Sequence, residues 1–287
     1  MLKGRDSRAA EYLNLLRGNR LALIGLGLLA FFGLIAIFAP LIVPFDPDSL
    51  AGRPFERPSS THLLGTNDVG QDIFSELLVG ARISLSIGVL AAIVSIVLGC
   101  LVGLVAGYFG GRIDAALMRL VDMVLVIPFL PLMILLAAYL GPSFWNLILV
   151  IGLLIWAQPA RIVRSQVLSL RTRGYVEAGR AIGTKVHRIL RQHVLPGVIP
   201  LALSQFVLAA SQSILIEASL SFLGLGDPVT KSWGSMLFYA QARGAFLTDA
   251  WIWWVVPPGL LITLVVAGFA FSGLAVEEIS DPKLRSR

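Results

Sequence analysis

Six long apolar stretches separated by shorter polar segments dominate the hydropathy pattern of this 287-residue chain. A helix needs about 20 apolar residues to cross the hydrocarbon core of a bilayer, and it satisfies its own backbone hydrogen bonds in lipid. Membrane β-strands are shorter and alternate apolar with polar residues. The predicted fold is therefore an all-α polytopic membrane bundle with six transmembrane helices. They cover residues 21–43, 83–107, 120–140, 145–160, 196–223 and 251–274.

Composition and charge support this fold and orient it. Hydrophobic residues make up 56% of the chain and charged residues only 14%, which is typical of a multi-span membrane protein. The net charge of +6 does not indicate a nucleic-acid partner, because basic residues in membrane proteins concentrate in cytoplasmic loops. With the N-terminus inside, 18 of the 23 Lys and Arg residues fall on the cytoplasmic side. We therefore expect both termini in the cytoplasm.

The polar segments divide the chain into five parts. An amphipathic segment at 1–20, expected to lie on the inner membrane surface, precedes the first span at 21–43. An outer loop at 44–82 leads into a core of five spans at 83–274, and a tail at 275–287 ends the chain. Within the core, a cytoplasmic loop at 161–195 carries eight basic residues.

This cytoplasmic loop contains a short helix without an obvious partner in its own chain. The sequence YVEAGRAIG at 175–183 predicts a helix that ends at Gly183, and a second, basic helix follows it. Pro196 is well placed to begin the next span, because the first turn of a helix needs no amide donor. A short helix with apolar and charged faces between two spans cannot bury itself. We interpret it as a docking site for a partner.

The loop resembles that of permease subunits of binding-protein-dependent ABC importers. The family motif recurs as EAG at 177–179, Gly183 and LP at 195–196. Gly179 replaces the family's second alanine, and His193 stands where isoleucine is usual. In that family the loop forms the coupling helix that fits a groove on the ATPase. The resemblance implies ATPase coupling through Glu177, Ala178, Gly179, Ala181, Gly183, Leu195 and Pro196.

The resemblance covers nearly the whole chain and favours the dipeptide/oligopeptide/nickel branch of the family. The segments that carry it are HLLGTNDVGQD at 62–72 with GARIS at 80–84, HVLP at 193–196, EASLSFLGLG at 217–226 with SWG at 232–234, and DPKLR at 281–285. Gln71 departs from the branch, which usually has arginine there. The resemblance implies the fold of a type I importer permease. It also implies a dipeptide, an oligopeptide or, with less support, nickel or another small solute as cargo.

The resemblance further implies partners and a location. A second, homologous permease chain would complete the pore, two ATPase subunits would drive it, and an extracytoplasmic substrate-binding protein would deliver cargo. The complex would lie in the bacterial cytoplasmic (inner) membrane, in contact with lipid. The sequence lacks the Gly-x-x-x-x-Gly-Lys-[Ser/Thr] phosphate-binding motif. We therefore expect no enzymatic activity and no bound cofactor in this chain, with ATP used by the partner ATPases.

A metal site is not expected either. The one cysteine, Cys100, lies in an apolar run, and the three histidines are scattered without the close spacing of metal ligands.

Polar residues in the fifth predicted span form a candidate translocation path. Gln205, Gln212 and Ser219 recur every seven residues, which places them on one helical face. Such residues are often functional, but they also join helices by hydrogen bonds, and both interpretations are open. Glu217 near the outer end is a candidate for the path or for pairing within the bundle. The full candidate set is Ser204, Gln205, Ser211, Gln212, Glu217 and Ser219.

Two further features concern helix packing. Glycines at four-residue spacing predict a ridge where another helix approaches closely: Gly99, Gly103, Gly107 and Gly111. Asp122, near the inner surface, is expected to pair with Arg119, since opposite charges three residues apart are neighbours on a helix.

A rival interpretation is an ion-gradient-driven secondary transporter. Such proteins have inverted repeats and discontinuous helices around a midplane site, and Glu217 is the acid that could serve there. The two halves of the chain show no similarity, however, and the cytoplasmic loop would have no role. A non-transporting membrane scaffold would likewise leave the polar stripe of the fifth span without a role.

Overall fold

The computed structural model describes residues 19–280, with side chains as far as residue 273. Most of the predicted amphipathic segment (1–18) and the end of the tail (281–287) lie outside the described residues. Within 19–280 the chain is built of helices, and its one β interaction is an isolated bridge between Thr66 and Asp72. The prediction of an all-α membrane bundle is confirmed.

Six helices make up the first half of the described chain. They are α1 (Arg20–Ile42), α2 (Ile73–Phe109), α3 (Gly111–Val126), α4 (Phe129–Leu140), α5 (Phe144–Ile155) and α6 (Ala157–Arg171). Side chains cap the N-termini of α1 and α2. Asn19 accepts a hydrogen bond from the Ala22 amide at 3.1 Å, and Asp72 accepts one from the Ser75 amide at 2.8 Å. Such caps satisfy amides that have no partner within the helix.

Six further helices follow. They are α7 (Gly174–Ala181), α8 (Val186–Ile189), α9 (Leu195–Leu220), α10 (Trp233–Ala242), α11 (Trp251–Trp254) and α12 (Val256–Ser280). A π turn at Leu190–Val194 joins α8 to α9, so that Val186–Leu225 forms one continuous helical stretch of 40 residues. The basic helix and the fifth span are thus one stretch, in which α9 begins at Leu195 with Pro196 in its first turn. The wider turn ahead of Pro196 accommodates a residue that has no amide to donate.

The predicted third and fourth spans are bent. Among the residues that the structure describes, four stretches are long and apolar enough to cross a membrane: Arg20–Ile42, Ile73–Phe109, Val186–Leu225 and Trp251–Gly273. The helix pairs α3/α4 and α5/α6 are bent by 88° and 43°. If each bent pair crosses the membrane once, the described residues contain six spans. At the first bend Ile127 is extended, as expected for a residue that precedes a proline. At the second, Pro159 has no amide to donate to the carbonyl of Ile155.

The glycine ridge brings α2 and α6 into close contact. A Cβ atom added at Gly99 would lie 2.8 Å from Pro159 Cβ, one at Gly103 would lie 2.6 Å from the Ala160 carbonyl oxygen, and one at Gly107 would lie 2.7 Å from Val167 Cβ. Only glycine permits this approach. The fourth predicted member, Gly111, has nothing within 4 Å, because the chain turns there to begin α3.

Ion pairs join α3 to α6 beside this contact. Asp122 pairs with Arg161 at 2.5 Å, so the expected pairing with Arg119 was wrong: the crossing of two helices supplies a nearer cation than the same helix does. Asp114 accepts two hydrogen bonds from Arg164, at 2.5 and 2.6 Å. Two parallel bonds of this kind also fix the relative orientation of the two groups.

Candidate coupling and translocation sites

The short helix α7 rests on the ends of three longer elements. Val176 is fully buried at its centre, within an apolar cluster whose other members are Tyr108, Val163, Val167, Leu170, Ile189, Val194 and Val198. These residues come from α2, α6 and the Val186–Leu225 stretch. Since a packed interior transmits strain, a displacement of α7 would act on all three at once.

The opposite face of α7 is exposed. Glu177, Ala178 and Ala181 are accessible, and 82% of the Ile182 side chain is exposed at the end of the helix. Gly179 is the buried member of the candidate motif, and a Cβ atom added there would lie 3.8 Å from Ile189. That is an ordinary van der Waals distance, so an alanine would fit. The departure from the family motif at this position is therefore sterically neutral.

Gly183 ends α7 with a turn that few other residues adopt. Its φ is +75°, in the left-handed region that favours glycine. The Gly183 amide donates to the Arg180 carbonyl and the Thr184 amide donates to the Gly179 carbonyl, both at 3.0 Å. These two bonds form the Schellman arrangement. They reverse the chain directly after the exposed Ile182.

Aromatic contacts tie α7 to the neighbouring helices. The Arg180 guanidinium lies 4.7 Å from the centre of the Tyr108 ring at the end of α2. The Tyr175 and His193 rings are 5.9 Å apart, and His193 belongs to the π turn. Leu195 and Pro196 follow it, both exposed at the start of α9. The predicted coupling residues thus lie on two elements that contact each other.

A groove of about 450 Å³ lies beside the two bends. Gln205 and Gln212, both predicted for the path, line it from α9, and Gln158 lines it from the first turn of α6. Apolar side chains complete the wall: Leu125, Phe129, Leu154, Ile155, Pro159, Ile162, Leu208 and Ala209. Gln158 was missed by the sequence analysis, although a carboxamide within the predicted span 145–160 was a signal of the same kind as Gln205.

The serines of the candidate path do not line this groove. The hydroxyls of Ser204 and Ser219 donate to carbonyls four residues earlier in their own helix, at 3.3 and 2.8 Å. The Ser211 hydroxyl donates to the Val266 carbonyl in α12 at 3.4 Å. The structure therefore brings together only the two glutamines of the predicted stripe.

Glu217 lies apart from the groove and is fully buried. Its carboxyl group accepts hydrogen bonds from Ser84 at 3.1 Å and from Ser221 at 2.8 Å. The Ser84 hydroxyl in turn accepts a bond from the Trp233 amide at 3.1 Å. This network connects α2, α9 and the start of α10, and each of its bonds satisfies a polar group that would otherwise be buried without a partner.

Charged groups also fix the outer loop in place. Lys231 Nζ lies 2.7 Å from Glu76 and 3.3 Å from Asp48, and it donates to the Pro47 carbonyl at 2.6 Å. One cation thus joins the outer loop, the start of α2 and the segment before α10. The role of Lys231 could not be predicted from the sequence, because its partners lie more than 150 residues away.

The described part of the chain offers no metal site. Within residues 19–273, whose side chains the structure describes, no group of three or more His, Cys, Asp or Glu is arranged to hold a metal ion.

Comparisons with known proteins assign the family. The model of the binding-protein-dependent transport system inner membrane component matches residues 95–286, and the N-terminal transmembrane domain of oligopeptide transport permease C matches residues 7–64. Together they cover most of the chain and confirm the resemblance drawn from the sequence motifs.

Individual relatives are similar over nearly their whole length. The dipeptide transport system permease protein DppC of Alkalihalophilus pseudofirmus is 38% identical, over 94% of this chain and 88% of that protein. The oligopeptide transport system permease protein OppC of Bacillus subtilis is 36% identical over 94% of this chain and 88% of that protein. The probable D,D-dipeptide transport system permease protein DdpC of Escherichia coli is 34% identical over 96% of this chain and 91% of that protein. This chain is therefore a multi-pass inner-membrane permease and belongs to the family of binding-protein-dependent transport system inner membrane components.

Proposed function

We propose that this chain is one permease subunit of an ATP-driven importer for dipeptides or oligopeptides. A second, homologous permease chain supplies the other half of the translocation path. The names of the relatives, which refer to dipeptides, oligopeptides and D,D-dipeptides, support peptide cargo over nickel. Selection among peptides belongs to the extracytoplasmic binding protein, which meets the outer loop and the segment around α10.

The exposed face of α7 is the observation that carries the energy-coupling part of this proposal. A helix anchored by Val176 and Arg180 leaves the side chain of Ile182 uncovered. An apolar side chain that projects from a rigid element can anchor an interface by filling a pocket of the partner. The partner is an ATPase subunit, and each of two ATPases engages one permease chain.

The orientation follows from the same assignment. The N-terminus and α7 are cytoplasmic, which agrees with the concentration of Lys and Arg on that side. ATP is bound and hydrolysed by the partner ATPases, and this chain binds no cofactor. ATP-driven closure of the two ATPases moves α7, and the apolar cluster around Val176 passes this movement to α2, α6 and α9.

Gln205 and Gln212 belong to the path, together with the groove that they line. Their side chains form no hydrogen bond with other described residues, whereas Ser204, Ser211 and Ser219 are satisfied by backbone carbonyls. A polar group that has no partner in its own chain is free to contact water, cargo or the second permease chain across the path. We assign the three serines and Glu217 to the structure of the bundle.

Reconstitution tests the proposal. The chain is placed in liposomes with its companion permease, the two ATPases and the binding protein. Uptake of a labelled tripeptide is then measured with ATP supplied on the side of the membrane where the ATPases lie. We expect uptake that requires ATP and both ATPases. Uptake driven by a proton or sodium gradient in liposomes without the ATPases would refute the proposal and favour a secondary transporter.

A further inference from the structure

Three carboxamide side chains converge on the groove between the bent helix pairs. Gln205 and Gln212 approach it from α9 and Gln158 from α6. Among the described residues, none of the three side chains has a hydrogen-bond partner. No charged side chain lines the groove, and its remaining wall is apolar.

This arrangement is unfavourable unless something polar occupies the groove. Moving an amide from water into an apolar surrounding without a hydrogen bond is strongly unfavourable. Three such groups on one wall are therefore unlike a lipid-facing surface. Gln158 and Gln212 are exposed on this chain and Gln205 is half-buried, so in the assembled transporter they need water, a polar ligand or polar groups of the second permease chain beside them.

We propose that Gln158, Gln205 and Gln212 bind the backbone of the passing peptide and that they make the groove indifferent to the charge of cargo side chains. A carboxamide has two N–H donors and one carbonyl acceptor, which is the complement of a peptide group. Because it carries no charge and can both donate and accept hydrogen bonds, it favours neither a lysine nor a glutamate side chain of the cargo. This inference rests on the proposed function and names the part of the cargo that these residues recognise.

The spacing along α9 suits an extended peptide. Seven residues of α-helix separate Gln205 from Gln212, which at 1.5 Å per residue is about 10 Å along the axis. An extended chain advances about 3.3–3.6 Å per residue, so the two carboxamides span about three residues of cargo. Gln158 reaches the same groove from a different helix and can contact a peptide group between them.

The size of the groove also fits. Its volume of about 450 Å³ lies within the range of about 300–1,000 Å³ that small-molecule sites occupy. The groove is bounded by the two helix bends, so a change of either bend angle would alter its width.

The experiment introduces a charge without changing the shape of the side chain. The complete transporter, reconstituted with its partners, is given three tripeptides that differ only in the central residue: alanine, lysine or glutamate. The Gln212→Glu, Gln205→Glu and Gln158→Glu variants are compared with the unchanged chain, each at saturating binding protein. The readout is the ratio of lysine-peptide to glutamate-peptide uptake, which cancels differences in folding and in the amount of protein inserted.

We expect the unchanged chain to transport the three peptides at rates within about threefold of one another. Each glutamate variant should raise the lysine-to-glutamate ratio by about tenfold or more, since the new carboxylate attracts the lysine side chain and repels the glutamate side chain. Gln192→Glu is the matched control, because it makes the same chemical change at an exposed position outside the groove. It should leave the ratio unchanged.

Two outcomes would overturn the inference, and they are distinguishable. Peptide uptake that needs ATP but keeps the same ratio in all three variants would remove these glutamines from cargo binding and leave the proposed function intact. Failure of the unchanged chain to take up any of the three peptides with ATP would remove the proposed function, and the inference with it.

Discussion

The Arg180 guanidinium lies over the ring of Tyr108, 4.7 Å from its centre, and so joins the exposed helix α7 to the end of α2. Since α2 also packs closely on α6 through its glycines, this contact connects the proposed ATPase site with the centre of the bundle. A cation–aromatic contact of this kind contributes about 0.5–1 kcal/mol at an accessible site.

Replacing the aromatic ring should therefore weaken coupling without abolishing it. We expect Tyr108→Leu to lower ATP-dependent peptide uptake by about two- to fivefold, the factor that corresponds to the energy of the contact, while ATPase binding persists. Tyr108→Phe, which keeps the ring, should restore uptake. Arg112→Ala, at an exposed position on α3, is the control and should leave uptake unchanged. If Tyr108→Phe lost as much uptake as Tyr108→Leu, the contact between the ring and Arg180 would not be the cause of the loss.

The turn at Gly183 should be intolerant of proline. Proline fixes φ near −65°, and the observed φ of Gly183 is +75°, so Gly183→Pro should disrupt the end of α7 and abolish co-purification of the ATPases. Gly174→Pro is a matched control, because Gly174 is the first residue of α7 and proline is favoured there. ATPase binding that survives in both variants would argue against a role of α7 in docking.

The contact between α2 and α6 should depend on the absence of a side chain at Gly103. A Cβ atom there would lie 2.6 Å from the Ala160 carbonyl oxygen, and overpacking of this kind costs about 1–3 kcal/mol. We expect Gly103→Val to lower the thermal unfolding temperature of the detergent-solubilised protein. Gly27→Val, where nothing lies within 4 Å, should leave it nearly unchanged. Similar values for both variants would contradict the close-contact explanation.

The network around Glu217 should contribute to stability. Ser84→Ala removes a donor to Glu217 and an acceptor for the Trp233 amide, and leaving buried groups without partners costs about 1–3 kcal/mol. We expect a corresponding fall in the free energy of unfolding in detergent. Ser219→Ala is the control, since the Ser219 hydroxyl bonds only to the Leu215 carbonyl in its own helix. A loss confined to uptake, with stability unchanged, would instead indicate a transport role for the network.

Several structural relationships could not be predicted from the sequence. The pairing of Asp122 with Arg161 instead of Arg119 depends on how α3 crosses α6. The partners of Lys231 lie 155 and 183 residues earlier in the chain, and no local pattern brings them together. The four-residue glycine spacing predicted a ridge, but only the packing shows that Gly111 does not belong to it.

The candidate path illustrates the same limit. Helical periodicity placed Gln205 and Gln212 on one face of a helix, because that relationship is set within a single element. Gln158 joins them only because α5/α6 bends by 43° and brings its first turn to the same groove. The position of Gln158 within a predicted span marked it as a polar residue in the membrane, but a periodic pattern contains no information about contacts between helices and so could not place it beside Gln205 and Gln212.

The sequence by itself determined the helical membrane fold, the family and the composition of the exposed loop around Glu177, because hydropathy, spacing and motifs are properties of adjacent residues. The tertiary structure decided which face of α7 is buried, how Val176 and Arg180 attach it to the bundle, and which polar side chains share a groove. Those relationships follow from side-chain packing between helices, where a few ångströms separate a hydrogen-bonded pair from an unpaired one.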